Sequence, residues 1–318
     1  MKLLSLGGLA LSIVLLASCA GDASKENEEA FAKAETTKTT DGSVDQFADI
    51  KILRYEIPGF QNLTLKEQKL VYYMTQAGLA GRDIMWAQNY RHNLEIRKAL
   101  ENVYANYQGD KSAAAWGQFE TYLKRVWFSN GIHHHYSNDK LKAEFSTDYL
   151  KELLAATNTS LEGEAFDVIF NEKDAKKVNL GKDADIVLES AINFYGPDVT
   201  TAEVEAFYGA IKVDDKEPIE KGLNTRLVKE NGKLVEQVYK SGGLYGAAID
   251  KIIFWLEKAK GVAENEKQAN SLDLLIEYYK TGSLETWDDY CIAWATNTEG
   301  NIDWINGFIE VYNDPKGY

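Results

Sequence analysis

Hydrophobic residues recur at helical spacing along most of the chain beyond residue 64. Side chains three or four positions apart share one helix face, so the pattern predicts a series of amphipathic helices. Thr64 with Glu67, and Thr200 with Glu203, have the spacing of capping boxes and mark two helix starts. The other helices are predicted to begin at Asn93, Ser112 and Thr286 and to span 147–155, 164–170, 244–259, 272–279 and 302–312.

The hydrophobic period changes to two in one part of the chain. Two runs rich in strand-forming residues, 226–230 and 233–239, flank Asn231 and Gly232. Asn-Gly between such runs favours a two-residue turn, so the pattern predicts a β-hairpin. A shorter extended run at 51–57 opens the ordered part. The predicted fold class is therefore α+β, helix-rich with a small antiparallel β portion.

The amino terminus carries a processing signal. An apolar run over 3–17 is too short for a confident membrane span and ends in Leu-Ala-Ser-Cys, which resembles a lipobox. Residues 1–18 are thus predicted to be a lipoprotein signal peptide, and Cys19 is predicted to be lipidated. Residues 19–47 are rich in polar and charged side chains and are predicted to be a flexible tether. These features place the protein in the cell envelope, lipid-anchored at the outer membrane or periplasmic face.

Charge and cysteine content exclude several classes of protein. The formal net charge is −14, which repels phosphate backbones and argues against nucleic-acid binding. Cys291 is the one cysteine besides Cys19, so there is no disulfide framework. Its aromatic neighbours and two nearby aspartates favour a buried, unreactive thiol over a nucleophile.

The consecutive residues His133, His134 and His135 are the most conspicuous candidate metal ligands. Imidazole is a common metal ligand, but a site needs three or four converging donors. No carboxylate or cysteine stands at ligand spacing nearby, so packing or hydrogen-bonding roles are favoured. The chain also lacks a His-Glu-x-x-His helix, a Gly-x-Ser-x-Gly elbow and a phosphate loop. No catalytic or metal-ligating residue is therefore assigned to it.

Four blocks in order resemble the bacterial, Bacteroidetes-like lipoprotein form of the dipeptidyl peptidase III family. They are LAGRDIMWAQN at 79–89, WFSNGIHHHY at 127–136, GLNTRLV at 222–228 and INGFIEVYNDP at 305–315. The resemblance runs from about residue 50 to the end. It implies that 48–318 form most of the amino-terminal lobe of a two-lobed zinc exopeptidase that removes dipeptides from peptide amino termini.

The resemblance also implies which residues act. In the family, a Glu and a Tyr of the last block bind the free amino group of the peptide, and they match Glu310 and Tyr312. The family's zinc ligands stand in His-Glu-x-x-x-His and Glu-Glu-x-x-x-Glu helices, and neither motif occurs here. Zinc is therefore expected only in the full-length family member. The chain alone is expected to be inactive, with a missing carboxy-terminal segment as its partner.

Two other readings stay open at this stage. A non-catalytic envelope lipoprotein that binds peptides or glycans is compatible with the aromatic content and the anchor. The hypothesis of a purely structural envelope protein predicts that the chain binds no ligand and that Glu310→Ala causes only a small change in stability. Binding measurements separate the three.

Overall fold

The computed structural model describes residues 42–214, 218, 220–309 and 311–318. The chain divides into a small unit that ends at Glu56 and a large unit, Ile57–Tyr318. The predicted signal peptide, Cys19 and most of the predicted tether lie outside the described residues. None of the helices in the described ranges combines the length and hydrophobicity that a bilayer crossing requires.

The small unit contains a β-hairpin. Strand β1 (Ser43–Phe47) pairs antiparallel with β2 (Ile50–Leu53), and Phe47 stands opposite Ile50. The turn uses Ala48 in the left-handed region, with φ 49°. The extended run predicted from residue 51 is thus a strand. Its partner lies within the last residues of the range predicted as tether.

The large unit is helix-rich, as the hydrophobic pattern predicts. Both capping boxes are present, and each threonine hydroxyl accepts from the backbone N–H of the glutamate three residues later. The helices are α1 (Leu65–Asn89), α2 (Asn93–Asn106), α3 (Ala114–Ser129), α4 (Thr147–Ala156), α5 (Gly163–Asp167), α6 (Thr201–Gly209), α7 (Gly246–Lys260), α8 (Glu266–Thr281) and α9 (Leu284–Thr296).

The predicted hairpin is present. Strand β3 (Thr225–Glu230) pairs antiparallel with β4 (Lys233–Val238), and Glu230 faces Lys233. Asn231 and Gly232 both have positive φ, 52° and 75°, as this type of two-residue turn requires. The predicted α+β class, with helices dominant and a small antiparallel portion, is confirmed.

Several predicted helix ends are wrong. Asn93 is not a cap, because its buried amide donates to the Trp86 carbonyl and accepts from the Ile132 N–H. Helix α3 begins two residues after Ser112, since the Ser112 hydroxyl and N–H bond the Asp110 carboxylate instead. The cap of α9 is Ser283 rather than Thr286.

The helix predicted over 302–312 is also wrong, because the described residues there are not helical. A helix would place Ile302, Ile305 and Ile309 on one face, towards a core. Exposure instead alternates, and Ile305 is 89% exposed. Side chains take up the backbone groups that a first helical turn would use. The Glu264 carboxylate accepts from the N–H groups of Asn301 and Ile302, and the Gln268 amide donates to the Ile302 carbonyl.

Apolar side chains of the large unit form three buried clusters. The first core joins α2–α5 with the end of α1 and includes Ile96, Phe119 and Leu123, each 0% exposed. The second core joins α1, α7, α8 and α9 with Phe308 and Ile309. A smaller cluster surrounds Tyr195, Val199, Val204, Tyr208 and Leu227. The second core carries the candidate site.

Candidate functional site

In the segment 301–316 the described residues, all except Glu310, form neither helix nor strand, and Ile302, Trp304, Phe308 and Ile309 pack in the second core. The middle of the segment is fixed by two tyrosines. The Tyr279 hydroxyl donates to the Asn306 side-chain oxygen at 2.9 Å, and the Asn306 amide donates to the Tyr290 hydroxyl at 2.8 Å. The Trp304 indole N–H donates to the same hydroxyl at 3.0 Å. Hydrogen bonds from rigid helices thus hold a segment that has no regular backbone ladder of its own.

The next anchor is Gln88, on the last turn of α1. Its side-chain amide donates to the Phe308 carbonyl at 3.1 Å, and Gln88 is 3% exposed. The Phe308 ring stacks on Tyr279 with centroids 5.8 Å apart. A buried carbonyl without a donor costs free energy, so this bond fixes the depth at which Phe308 enters the core.

A turn follows, and it is anchored at its far end. The Asp314 N–H donates to the Val311 carbonyl at 3.0 Å, and Asn313 has positive φ, 65°. The Tyr195 hydroxyl donates to both Asp314 carboxylate oxygens, at 2.8 and 3.0 Å. Burial raises the pKa of Asp314, and hydrogen bonds from the Lys316 N–H and from Tyr195 act in the opposite direction.

The two predicted substrate-binding residues stand between these anchors. Tyr312 lies in the turn and is 72% exposed, so its phenol is accessible to a ligand. Glu310 lies outside the described residues. Its neighbour Ile309 is 4% exposed and packs in the second core. Fixed points at Phe308 and Asp314 therefore flank Tyr312 along the chain.

A cavity of about 270 Å³ lies beside this segment. Its walls come from α1, α7, α8 and residues 304–308, and most of them are apolar. Asn306 and Arg82 are lining residues with polar side chains. The remaining lining residues are Met74, Ala77, Gly78, Gly81, Met85, Ile252, Leu256, Leu275, Tyr279, Trp304, Ile305, Gly307 and Phe308.

Comparisons with known proteins agree on one family. Dipeptidyl peptidase 3 of Dictyostelium discoideum is 23% identical over 292 residues, covering 81% of this chain and 40% of that protein. Dipeptidyl peptidase 3 of Nematostella vectensis is 35% identical over 75 residues, which are 24% of this chain and 10% of that protein. The sequence model of peptidase family M49 matches residues 214–318.

The chain is similar to the dipeptidyl peptidase III family. The family resemblance of the four sequence blocks is thereby confirmed. DPP III from Caldithrix abyssi has a similar fold, with a TM-score of 0.53 at 21% identity, covering 80% of this chain and 38% of that chain. The present chain thus spans about 40% or less of the length of these dipeptidyl peptidase III proteins.

Zinc, which the family resemblance implies, has no ligand set among the described residues. No group of three His, Cys, Asp or Glu side chains converges there as a metal site would require. His133 is 2% exposed, and its Nε2–H donates to the Asp174 carbonyl at 2.7 Å. The ring therefore serves a structural hydrogen bond. No catalytic step is assigned to these residues.

Burial determines the protonation of His133 and Cys291, the two side chains that the sequence analysis considered as a metal ligand and a nucleophile. It lowers the pKa of His133 to about 4, against the opposing effect of the Asp174 carbonyl. The imidazole is therefore neutral at pH 7. Cys291 is half-buried, and burial followed by the Asp288 charge raises the pKa of its thiol. A thiol of raised pKa is a poor nucleophile at neutral pH.

Sequence reasoning missed the residues that hold the segment. Gln88 and Asp314 lie inside two of the four family blocks. Their positions in the sequence do not indicate that Gln88 contacts Phe308 or that Asp314 contacts Tyr195. Tyr195 lies in none of the blocks. A polar glutamine on the buried side of α1 was the available signal for Gln88. The partner of a buried amide 220 residues away is not visible in a hydrophobic pattern.

Proposed function

We propose that this chain is the amino-terminal part of a dipeptidyl peptidase III-type exopeptidase, and that Glu310 and Tyr312 bind the free amino group of its peptide substrate. The observation that carries the proposal is the anchored segment. Gln88 fixes Phe308, Tyr195 fixes Asp314, and the solvent-exposed Tyr312 stands between them. A dipeptidase must measure two residues from an amine, so its amine-binding groups have to be held in a defined place.

The chemistry of the two side chains suits an ammonium group. A carboxylate accepts charge-assisted hydrogen bonds from an ammonium, and a phenol oxygen accepts a further one. The α-amino group of a peptide has a pKa of about 8 and is charged at neutral pH. Binding through Glu310 therefore weakens as pH rises through that value, because the ligand loses its positive charge.

Titration calorimetry with tetra-alanine tests this assignment. Glu310→Gln removes the charge and is expected to weaken binding at least tenfold, and Tyr312→Phe several-fold. Glu299→Gln is the matched control for charge, since Glu299 is an exposed glutamate that lies outside the segment 301–316. Tyr136→Phe, at an 84% exposed tyrosine, is the control for the phenol. Unchanged affinity in Glu310→Gln would refute the proposal.

The hydrolytic centre of the complete enzyme belongs, in this proposal, to polypeptide that carries the family's zinc helices. This chain alone is then expected to release no product from a dipeptidyl-naphthylamide, with or without added zinc. Zinc-dependent turnover by the 318-residue chain would contradict that expectation. The DNA after codon 318 gives a second test, because the proposal requires coding sequence for a His-Glu-x-x-x-His helix.

The cellular position rests on Cys19. We propose that its lipidation attaches the enzyme to the envelope, with the following polar residues as a spacer and peptides as the substrate. Fractionation of cells that express the wild-type chain and Cys19→Ser tests this. The wild-type protein is expected with the membranes and the variant in the soluble fraction. A soluble wild-type protein would refute the anchor.

A further inference from the structure

Three asparagines of the chain are followed by glycine, namely Asn130, Asn231 and Asn306. Such a pair is chemically labile, because the backbone nitrogen of the glycine can attack the side-chain amide carbon of the asparagine. Glycine leaves this approach open, since it has no Cβ. The reaction requires that the amide and the glycine nitrogen leave their own contacts and meet. The structure around each pair therefore decides which of the three reacts.

In the pair Asn130-Gly131 the attacking nitrogen is held. The Gly131 N–H donates to the Val126 carbonyl at 3.0 Å, at the end of α3. Gly131 is buried, and a Cβ added there would clash with the Asn93 side-chain amide. Closing a ring on the Gly131 nitrogen would break the hydrogen bond to Val126 in a crowded place, which slows the reaction.

In the pair Asn306-Gly307 the side-chain amide is held instead. Its oxygen accepts from the Tyr279 hydroxyl at 2.9 Å, and its nitrogen donates to the Tyr290 hydroxyl at 2.8 Å. Both tyrosines are buried in the second core and cannot follow the asparagine as it rotates. Turning the Asn306 amide towards the Gly307 nitrogen therefore breaks two hydrogen bonds to buried groups, which is unfavourable.

The pair Asn231-Gly232 forms the tip of the hairpin β3–β4, and both residues are exposed. Among the described residues, no group accepts from the Gly232 N–H and none bonds the Asn231 side chain. A Cβ at Gly232 would meet no atom within 4 Å, so no neighbour crowds the place where a ring would form. Exposed loop tips are also among the most mobile parts of a fold. Neither reactant of this pair is therefore held.

We propose that Asn231 is a site of spontaneous deamidation, with water as the co-reactant, and that the fold protects Asn130 and Asn306. The Gly232 nitrogen bonds to the Asn231 Cγ atom and gives up its proton, and the side-chain NH2 group leaves with that proton as ammonia. Water then opens the resulting succinimide ring at one of its two carbonyl carbons. One product is aspartate. The other is isoaspartate, in which the main chain continues through the former side-chain carbon.

The modification changes the hairpin in two ways. Both products add a negative charge next to Glu230, and isoaspartate adds one carbon to the main chain. The added carbon lies inside a two-residue turn that the pair Glu230 and Lys233 closes. Turn length fixes the register of a hairpin, so isoaspartate strains the pairing of β3 with β4. This inference is independent of the proposed peptide binding.

Peptide mapping by mass spectrometry tests the proposal on the 318-residue chain during incubation at pH 8. In the folded chain, Asn231 is expected to convert to aspartate and isoaspartate at least tenfold faster than Asn130 or Asn306, because only those two must break hydrogen bonds. The same chain unfolded in guanidinium chloride is the control. Unfolding frees all three pairs, so their rates are expected to become similar.

A variant tests the protection of Asn306 separately. Tyr279→Phe keeps the ring but removes the hydroxyl that donates to the Asn306 oxygen. It is expected to raise the rate at Asn306 several-fold and to leave the rate at Asn231 unchanged. The proposal is overturned if Asn130 or Asn306 reacts as fast as Asn231 in the folded wild-type chain. It is also overturned if Asn231 stays intact in the folded chain over the time in which the unfolded chain converts.

Discussion

The two main cores of the large unit are built on different principles. The first core is closed by direct packing, as in the stack of Trp116 on Tyr107, with ring centroids 5.0 Å apart. The second core is bordered by a non-helical segment that side chains such as Gln88 and Tyr279 hold by hydrogen bonds. A cavity lies between this segment and the helices.

The two cores differ in how much their side-chain packing contributes to stability. Close packing stabilises a core most when little space is left, and Ile96, Phe119 and Leu123 of the first core are each 0% exposed. The second core retains a cavity, and one of its lining residues is Gly78, a helix glycine at which an added Cβ would meet no atom within 4 Å. The segment 301–316 that borders this core depends on a few buried polar contacts. Such features are typical of binding regions, where shape serves a ligand as well as the fold.

The largest expected effect is on stability in the first core. Leu123→Ala removes a side chain that is 0% exposed and is expected to lower the free energy of unfolding by about 2–5 kcal/mol. Tetra-alanine affinity is expected to stay unchanged, because the first core does not form the site. Urea unfolding and calorimetry measure the two quantities. A loss below about 1 kcal/mol would show that this core is loosely packed.

His133 gives the next largest effect, and it depends on pH. Its pKa is lowered in the folded state from 6.5 to about 4, so folding favours the neutral ring. Its contribution is complete above pH 6.5 and is lost as pH falls towards 4. The loss is about 3 kcal/mol at 1.36 kcal/mol per unit of pKa.

Unfolding measured from pH 7 to pH 4 checks this contribution by comparison with His133→Gln, which cannot titrate. The free energy of unfolding of the wild type is expected to fall relative to that of the variant by about 3 kcal/mol across this range. Parallel curves for the two proteins would show that the His133 ring does not resist protonation when the chain is folded.

The polar anchors of the second core are weaker but affect binding. Gln88→Met leaves the buried Phe308 carbonyl without its donor, which is expected to cost about 1–3 kcal/mol of stability. It is also expected to weaken tetra-alanine binding, because the segment that carries Tyr312 loses its fixed point. Gln118→Met, at an exposed position of α3, is the control. Equal effects of the two substitutions would deny Gln88 a positioning role.

The smallest effect distinguishes the two regions by sign. Gly78→Ala is expected to raise the free energy of unfolding by about 1 kcal/mol, because alanine favours the helix and its methyl meets open space. Gly117→Ala in α3 is expected to do the same. Chemical unfolding of both variants is the measurement. Destabilisation by Gly78→Ala alone would mean that the region around the cavity is already fully packed.

Sequence reasoning succeeded where local chemistry decides the structure. The capping boxes at Thr64 and Thr200 and the hairpin at Asn231-Gly232 follow from hydrogen bonds and φ angles within a few residues. It failed over 302–312, where three isoleucines at helical spacing suggested a helix. Glu264 and Gln268, more than thirty residues away, take the backbone groups of that segment, and no local pattern contains this information.

Amine recognition is tested most directly by one ratio, the affinity of the chain for tetra-alanine divided by its affinity for N-acetyl tetra-alanine at pH 7. Acetylation removes the positive charge and leaves the rest of the peptide intact. If Glu310 and Tyr312 bind the ammonium group, the ratio is at least ten and falls towards one above pH 8. A ratio of one at pH 7 would contradict the account.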